Sequence, residues 1–181
     1  MHRVISSFVL FALAPAVCFP QAAATPTPST PPVADALRGS LARYSKNMIA
    51  AAEAMPADKF SFKPTEAQNT FGHLVAHVID SNYYLCAKAS DIAQPKPPQS
   101  KETDKDALVA ALKASFDFCT TSLEKVDDSK LGDTIQAYGG REVPRAWALI
   151  ALTNDWADHY AVAANYLRLN GLLPPTAQQK K

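Results

Sequence analysis

The sequence predicts an all-α protein, a four-helix bundle with a longer irregular connection before its last helix. Three observations carry that expectation. Apolar residues recur in alternating steps of three and four along four separate stretches, as in helices that each bury one stripe. Only 6 of the 181 residues are glycine, too few for a turn-dense β-sandwich or a glycine-rich phosphate cradle. Most of the 14 prolines lie near the N-terminus, in the 95–98 segment or after the last periodic stretch, so they separate helices rather than interrupt them.

The first helix is expected from Ala34, with Leu37, Leu41, Tyr44, Met48, Ala51 and Met55 along one face and Pro56 ending it. Residues 57–69 read as a connection. A second helix starts at Asn69 or Thr70, either of which can cap it, and runs to about Ser90. Its apolar line is Phe71, Leu74, Val78 and Leu85. After Pro95, Pro97 and Pro98, Thr103 with Asp106 makes a capping-box-like start for a third helix. The stripe there is Leu108, Leu112, Ser115, Cys119, Ser122 and Val126. Periodicity lapses over residues 127–143, and 135–143 around Gly139-Gly140 suits a small hairpin or an ordered loop. Pro144 suits the first turn of a fourth helix running to Asn170. Gly171 is its left-handed stop, and Pro174-Pro175 prevents continuation.

The N-terminal segment reads as an address. A short basic start at Arg3, an apolar run from Val4 to Val17 and small residues at Ala22 and Ala24 describe a secretory signal peptide over residues 1–24. The run is too short, and broken by Pro15, for a membrane span. Residues 25–33 form a Pro-rich linker, residues 34–176 the bundle and residues 177–181 a frayed tail. The mature protein is therefore expected outside the cytoplasm, periplasmic or secreted. The chain has 18 Lys and Arg against 17 Asp and Glu, and cleavage removes Arg3 and no acid. Such balance offers no field for nucleic acid or an anionic membrane. Cleavage also removes Cys18. Cys86 and Cys119 then either pair in an oxidising compartment or remain as two small buried thiols.

The chemistry-bearing signal lies on the fourth helix, where the stripe reads Ala148, Leu152, Asp155, His159, Val162, Tyr166. Asp155 and His159 stand where a bundle wants apolar side chains, and burying a carboxylate without a partner is costly. Their i,i+4 spacing brings their Cβ atoms to roughly 5–6 Å on one face. A divalent metal between them relieves the penalty, since carboxylate oxygen and imidazole nitrogen both bind first-row cations. A third ligand must come from another helix. His77, at the edge of the second helix's apolar line, can turn inward, whereas His73 projects toward solvent or a helix flank. Asp80 is a candidate to orient His77. Alternatively, Asp155 and His159 simply pair with each other.

Residues 47–87 and 151–175 resemble the DinB-like (DinB/YfiT) family of four-helix proteins. The resemblance rests on Met55-Pro56, on Phe60-Ser61-Phe62-Lys63-Pro64-Thr65, on the helix-two histidine, and on His159-Tyr160 followed by Tyr166-Leu167-Arg168 and Asn170-Gly171. It implies a divalent metal held by three histidines, one in the second helix and two spaced four apart in the last. The first position corresponds to His77 and the last to His159. The remaining one falls on Asp155, which makes the expected metal ligands His77, Asp155 and His159. Two imidazoles and one carboxylate suit Zn first, with Ni, Mn and Fe as the other options. The resemblance also favours a Cys86–Cys119 disulfide.

The expected activity is that of an exported metal-dependent hydrolase or transferase in which the metal activates water or a thiol, with Asp158 and His73 as candidate bases. The expected partner is a small-molecule substrate, with no nucleic acid and no membrane insertion once the signal is cleaved. A homodimer through an exposed helix face is a further option. The rival expectations are a non-catalytic metal- or small-molecule-binding bundle and a metal-free structural domain. Tyr166 and Leu167 are expected in the core. Trp147, Trp156, Tyr83 and Tyr84 serve packing, and Arg168 complements a helix C-terminus.

Overall fold

Four helices, α1 (Pro32–Ala54), α2 (Phe71–Ser90), α3 (Lys105–Leu123) and α4 (Ala146–Leu169), carry the chain in the computed structural model, joined before α4 by a hairpin of β1 (Thr134–Gln136) and β2 (Glu142–Pro144). The structure describes residues 31–178; the expected signal peptide, most of the linker and residues 179–181 lie outside them.

Helix ends are set by which group meets the first free amides. α1 starts at Pro32, inside the stretch read as linker. Proline suits the first helical position because its missing N–H has no partner there. The next two amides, of Val33 and Ala34, donate to the Asp128 carboxylate at 2.8 and 2.9 Å. A capping anion thus comes from across the bundle, where it also complements the helix dipole. α2 is capped by Thr70, whose hydroxyl accepts from the His73 amide at 3.0 Å. The cap of α3 is Asp104 rather than Thr103, because the Asp104 carboxylate is the group that reaches the Ala107 amide, at 3.1 Å.

α4 starts at Ala146, not in the turn of Pro144. Pro144 instead ends β2 opposite Thr134, an edge position that needs no amide. Backbone carbonyls of the preceding connection then accept from the amides of Arg145 and Ala146. The far end of α4 is the expected one: Gly171 has φ 75° and the Leu172 amide returns to the Leu167 carbonyl at 2.9 Å.

α1 and α2 each pack against both α3 and α4, which places α1 diagonally across from α2 and α3 across from α4. Phe60, Phe71, Met55, Leu108, Leu112, Leu123, Leu152 and Leu167 are wholly buried between them. The α2 and α3 stripes are buried as the periodicity indicated. On α4 the buried face is centred elsewhere, on Leu149, Leu152, Trp156, Tyr160, Ala163 and Leu167. Asp155 and His159 therefore sit on its flank, turned about 100° per residue from that centre.

Cys86 of α2 and Cys119 of α3 are joined by a disulfide, with Cα atoms 5.3 Å apart. The core also holds a polar chain that the apolar stripes do not reveal. Trp156 Nε1 donates to Asn82 Oδ1 at 2.7 Å, Asn82 Nδ2 donates to Ser115 Oγ at 2.9 Å, and Ser115 Oγ donates to the Leu112 carbonyl. These bonds give the buried amide, indole and hydroxyl partners away from the solvent-exposed surface.

Candidate metal centre

The outer groove between α2 and α4 gathers His77, Asp155 and His159, each offering one ligand atom within 4.8 Å of the others. The two imidazole rings stack at 4.6 Å between centroids. Asp155 Oδ1 lies 3.4 Å from His77 Nε2 and 3.6 Å from His159 Nδ1. The expectation that these groups converge inside the bundle is corrected in one respect. His77 does not turn into the core: its side chain is 47% exposed, against 13% for Asp155 and 19% for His159. An unpaired imidazole in the core would lose its hydration, whereas at the rim it meets Ser81 Oγ at 3.3 Å and the Asp155 carboxylate.

The main chain sets the tautomer of His159. Its Nδ1 lies 2.7 Å from the Asp155 backbone carbonyl, one turn back, and a carbonyl only accepts. Nδ1 therefore carries the hydrogen and Nε2 keeps its lone pair for a cation, an arrangement usual among ligating histidines. Asp155 presents the opposite situation. Its Oδ2 is buried and has no hydrogen-bond partner. A carboxylate oxygen sealed from water without a donor is costly, and a cation held with the two imidazoles would supply what it lacks. The donor set and the orphaned oxygen both fit a divalent ion.

Asp155 also acts on His77. Their side-chain hydrogen bond is the main cause that raises the His77 pKa, burial opposes it, and the charges of Asp155 and Asp80 add to the rise. Asp80, expected to orient His77, is exposed and acts through its charge. His73 stays on the helix flank, as expected, with Nδ1 2.8 Å from Glu102 Oε1. Asp158 is exposed at the mouth of the groove.

Two further residues, Tyr138 and Arg145, shape the surroundings and have no role assigned from the sequence. Tyr138, in the hairpin turn, stacks on Tyr84 at 4.0 Å and meets the Trp147 ring edge-on at 6.2 Å. It lines the same cavity as the His and Asp cluster. Burial first, then the charges of Tyr84, Asp155 and Asp80, push its pKa up to about 12, so its hydroxyl keeps its proton at any ordinary pH. Gly139 and Gly140, with φ of 69° and 74°, provide the left-handed turn that presents it. Arg145, 6% exposed, holds the hairpin base against α2 by donating to the carbonyls of Lys88 and Ala89. The only hint of this role was a lone arginine ahead of the α4 stripe. Of the aromatics expected to pack, Trp156 and Tyr83 are buried and Tyr84 and Trp147 join the Tyr138 cluster. Tyr166 and Leu167 are in the core, and Arg168 lies in the last turn of α4.

A four-helix bundle with a His and Asp cluster in the groove between its second and fourth helices defines a class of helical proteins with a candidate cation site. The DinB superfamily profile matches residues 40–163, more than half of the chain, and the chain belongs to that superfamily. Its fold is shared by a DinB-like protein from Bacillus subtilis, at 21% identity and a TM-score of 0.65, over 81% of this chain and 99% of that one. A DinB-like protein from Bacillus cereus is similar at 14% identity and a TM-score of 0.64, over 78% of this chain and 95% of the other. None of the curated proteins matches the chain.

Proposed function

We propose that this protein is an exported metal-dependent hydrolase whose divalent cation is held by His77, Asp155 and His159. The observation that carries the reading is Asp155 Oδ2, buried without a donor beside two imidazoles. Two nitrogen donors and one carboxylate suit Zn first, with Ni, Mn and Fe as alternatives. The chemistry such an ion supplies is Lewis acidity, which acidifies water or a thiol and polarises a carbonyl.

The chain's own residues bind and orient. His159 is turned by the Asp155 carbonyl so that Nε2 faces away from its own helix bond. Asp158, which lines the cavity, is one candidate to take a proton from an attacking group. His73, paired with Glu102, is the second candidate. Hydrolysis is favoured over thiol transfer because an oxidising compartment holds few free thiols. The signal-like residues 1–24 support export, and so does the Cys86–Cys119 disulfide.

Elemental analysis of the mature protein purified after export tests the cation site. Stoichiometric metal that is lost in His159→Ala supports it, and a protein still empty after reconstitution rejects it. Turnover of a panel of esters and amides by the loaded protein then tests hydrolysis. The metal-free reading has one observation in its favour, the His77–Asp155 pair at 3.4 Å, and the same elemental analysis decides between the two.

A further inference from the structure

The cation cluster lies between two cavities rather than at the bottom of one. Cavities of about 400 and about 440 Å³ share His77, Asp158 and His159 as a common wall. Each is large enough for part of a small molecule. Their remaining walls differ in chemistry. On the hairpin side they include Leu85, Ala151 and Tyr138, with Ser81 and Asn154. On the other side Leu74, Val162 and Tyr166 share the wall with Gln68, Asn69 and His73, whose amides and imidazole make it the more polar of the two.

Tyr138 is held in place yet left open. Tyr84 and Trp147 fix its ring from two directions, and the residue remains 53% exposed. A rigid aromatic with free surface supplies contact area to a ligand at little entropic cost. Charge narrows the choice further. Neither cavity is lined by a lysine or an arginine, whereas Asp155 and Asp158 line the hairpin-side one. A divalent ion would offset those two carboxylates, so the lining itself carries no excess positive charge to attract an anion. Lys88 and Arg141 lie over the Tyr84 and Trp147 rings and are not among the lining residues.

Resting on the cation site proposed above, we infer that the hairpin-side cavity is an apolar subsite with Tyr138 as its specificity-determining residue. It takes an uncharged substrate that carries an aromatic or similarly flat apolar group next to the atoms that meet the cation. The polar part of the substrate extends toward Gln68, Asn69 and His73.

Two hydroxamates test this by calorimetric titration of the zinc-loaded protein. Acetohydroxamate reaches only the cation, whereas benzohydroxamate also places a ring in the subsite. The expected result is benzohydroxamate binding roughly tenfold more tightly, as burial of a ring against apolar walls requires. Tyr138→Ala removes most of that advantage and leaves acetohydroxamate affinity unchanged. Ala151→Leu fills the subsite without touching the hairpin and has the same effect. Benzohydroxamate with a carboxylate on its ring binds more weakly than the parent. Equal affinities in the unsubstituted protein, or an advantage that survives both substitutions, overturns the subsite. Failure of zinc to load overturns the cation site and the subsite with it, whereas zinc that loads but binds neither hydroxamate overturns the subsite alone.

Discussion

His159 and Asp155 are joined twice: His159 Nδ1 lies 2.7 Å from the Asp155 backbone carbonyl and 3.6 Å from its side-chain Oδ1. One residue thus orients the imidazole through its main chain and faces it with a charge through its side chain. Asp155→Asn separates the two roles, because the carbonyl stays. Zinc affinity is expected to fall at least about tenfold, since an amide is a poor substitute for a carboxylate ligand. At a pH where His77 is neutral, stability of the metal-free protein should hold or rise, because the unpartnered buried position no longer carries a charge. Calorimetric metal titration and thermal melts read the two effects independently. A marked loss of metal-free stability contradicts the account.

His77 contributes to the pH dependence of the metal-free protein near neutrality. Asp155 raises its pKa above the usual imidazole value of 6.5. The imidazole's contribution to stability is therefore fully present below that unfolded value. It is lost as pH rises through the higher folded value. With the side chain about half exposed, solvent screening keeps the effect small. Proton NMR should show His77 titrating above 6.5 in the metal-free protein and lower in Asp155→Asn. Cation uptake must displace that proton, so apparent metal affinity should weaken as pH falls. A His77 titration unmoved by Asp155→Asn contradicts the assignment.

The disulfide closes a loop with a sequence separation of 33 residues. Chain-entropy reasoning gives it about 3 to 4 kcal/mol of stabilisation through the unfolded state. Replacing both cysteines with alanine is expected to lower unfolding free energy by about that amount, measured by denaturant titration. The loss should be much the same with and without metal, because the bond joins α2 to α3 while the cluster lies between α2 and α4. A double variant as stable as the parent contradicts that expectation.

Gly72 sits where another chain segment passes close to α2. A Cβ there would fall 1.8 Å from the Glu102 carbonyl oxygen and 2.7 Å from its carbon, both backbone atoms. Gly72→Ala should therefore displace the segment before α3 and cost about 1–3 kcal/mol, the usual range for overpacking. Glu102 also holds His73, so the shift should open that pair as well. Denaturant melts with a His73 NMR titration read both consequences. An alanine variant of unchanged stability and unchanged His73 behaviour counts against the close approach.

Much of the fold was legible in the sequence. The apolar stripes of α2 and α3 and the Gly171 stop are written in the spacing of residues within a few positions of one another. Local spacing therefore contains their physics. The exceptions are instructive. α1 extends back to Pro32 because Asp128, from a distant segment, meets its amides. The Asn82, Ser115 and Trp156 chain stayed hidden because each residue alone looks like an ordinary neighbour of a stripe. Tyr138 gave no signal, since a tyrosine beside two glycines says nothing about which helices its turn will face.

The sequence by itself determined four amphipathic helices, their main breaks, and a His77, Asp155, His159 set able to share one ion if brought together. It could do so because helix periodicity, proline and glycine act through steric and hydrogen-bond rules that span about one turn. Only the tertiary structure decided that the set lies at the rim of the α2–α4 groove, with one carboxylate oxygen sealed from solvent. That outcome depends on how α4 is rotated against α2. The rotation is set by the packing of Leu152, Trp156 and Leu167, and no local rule encodes it.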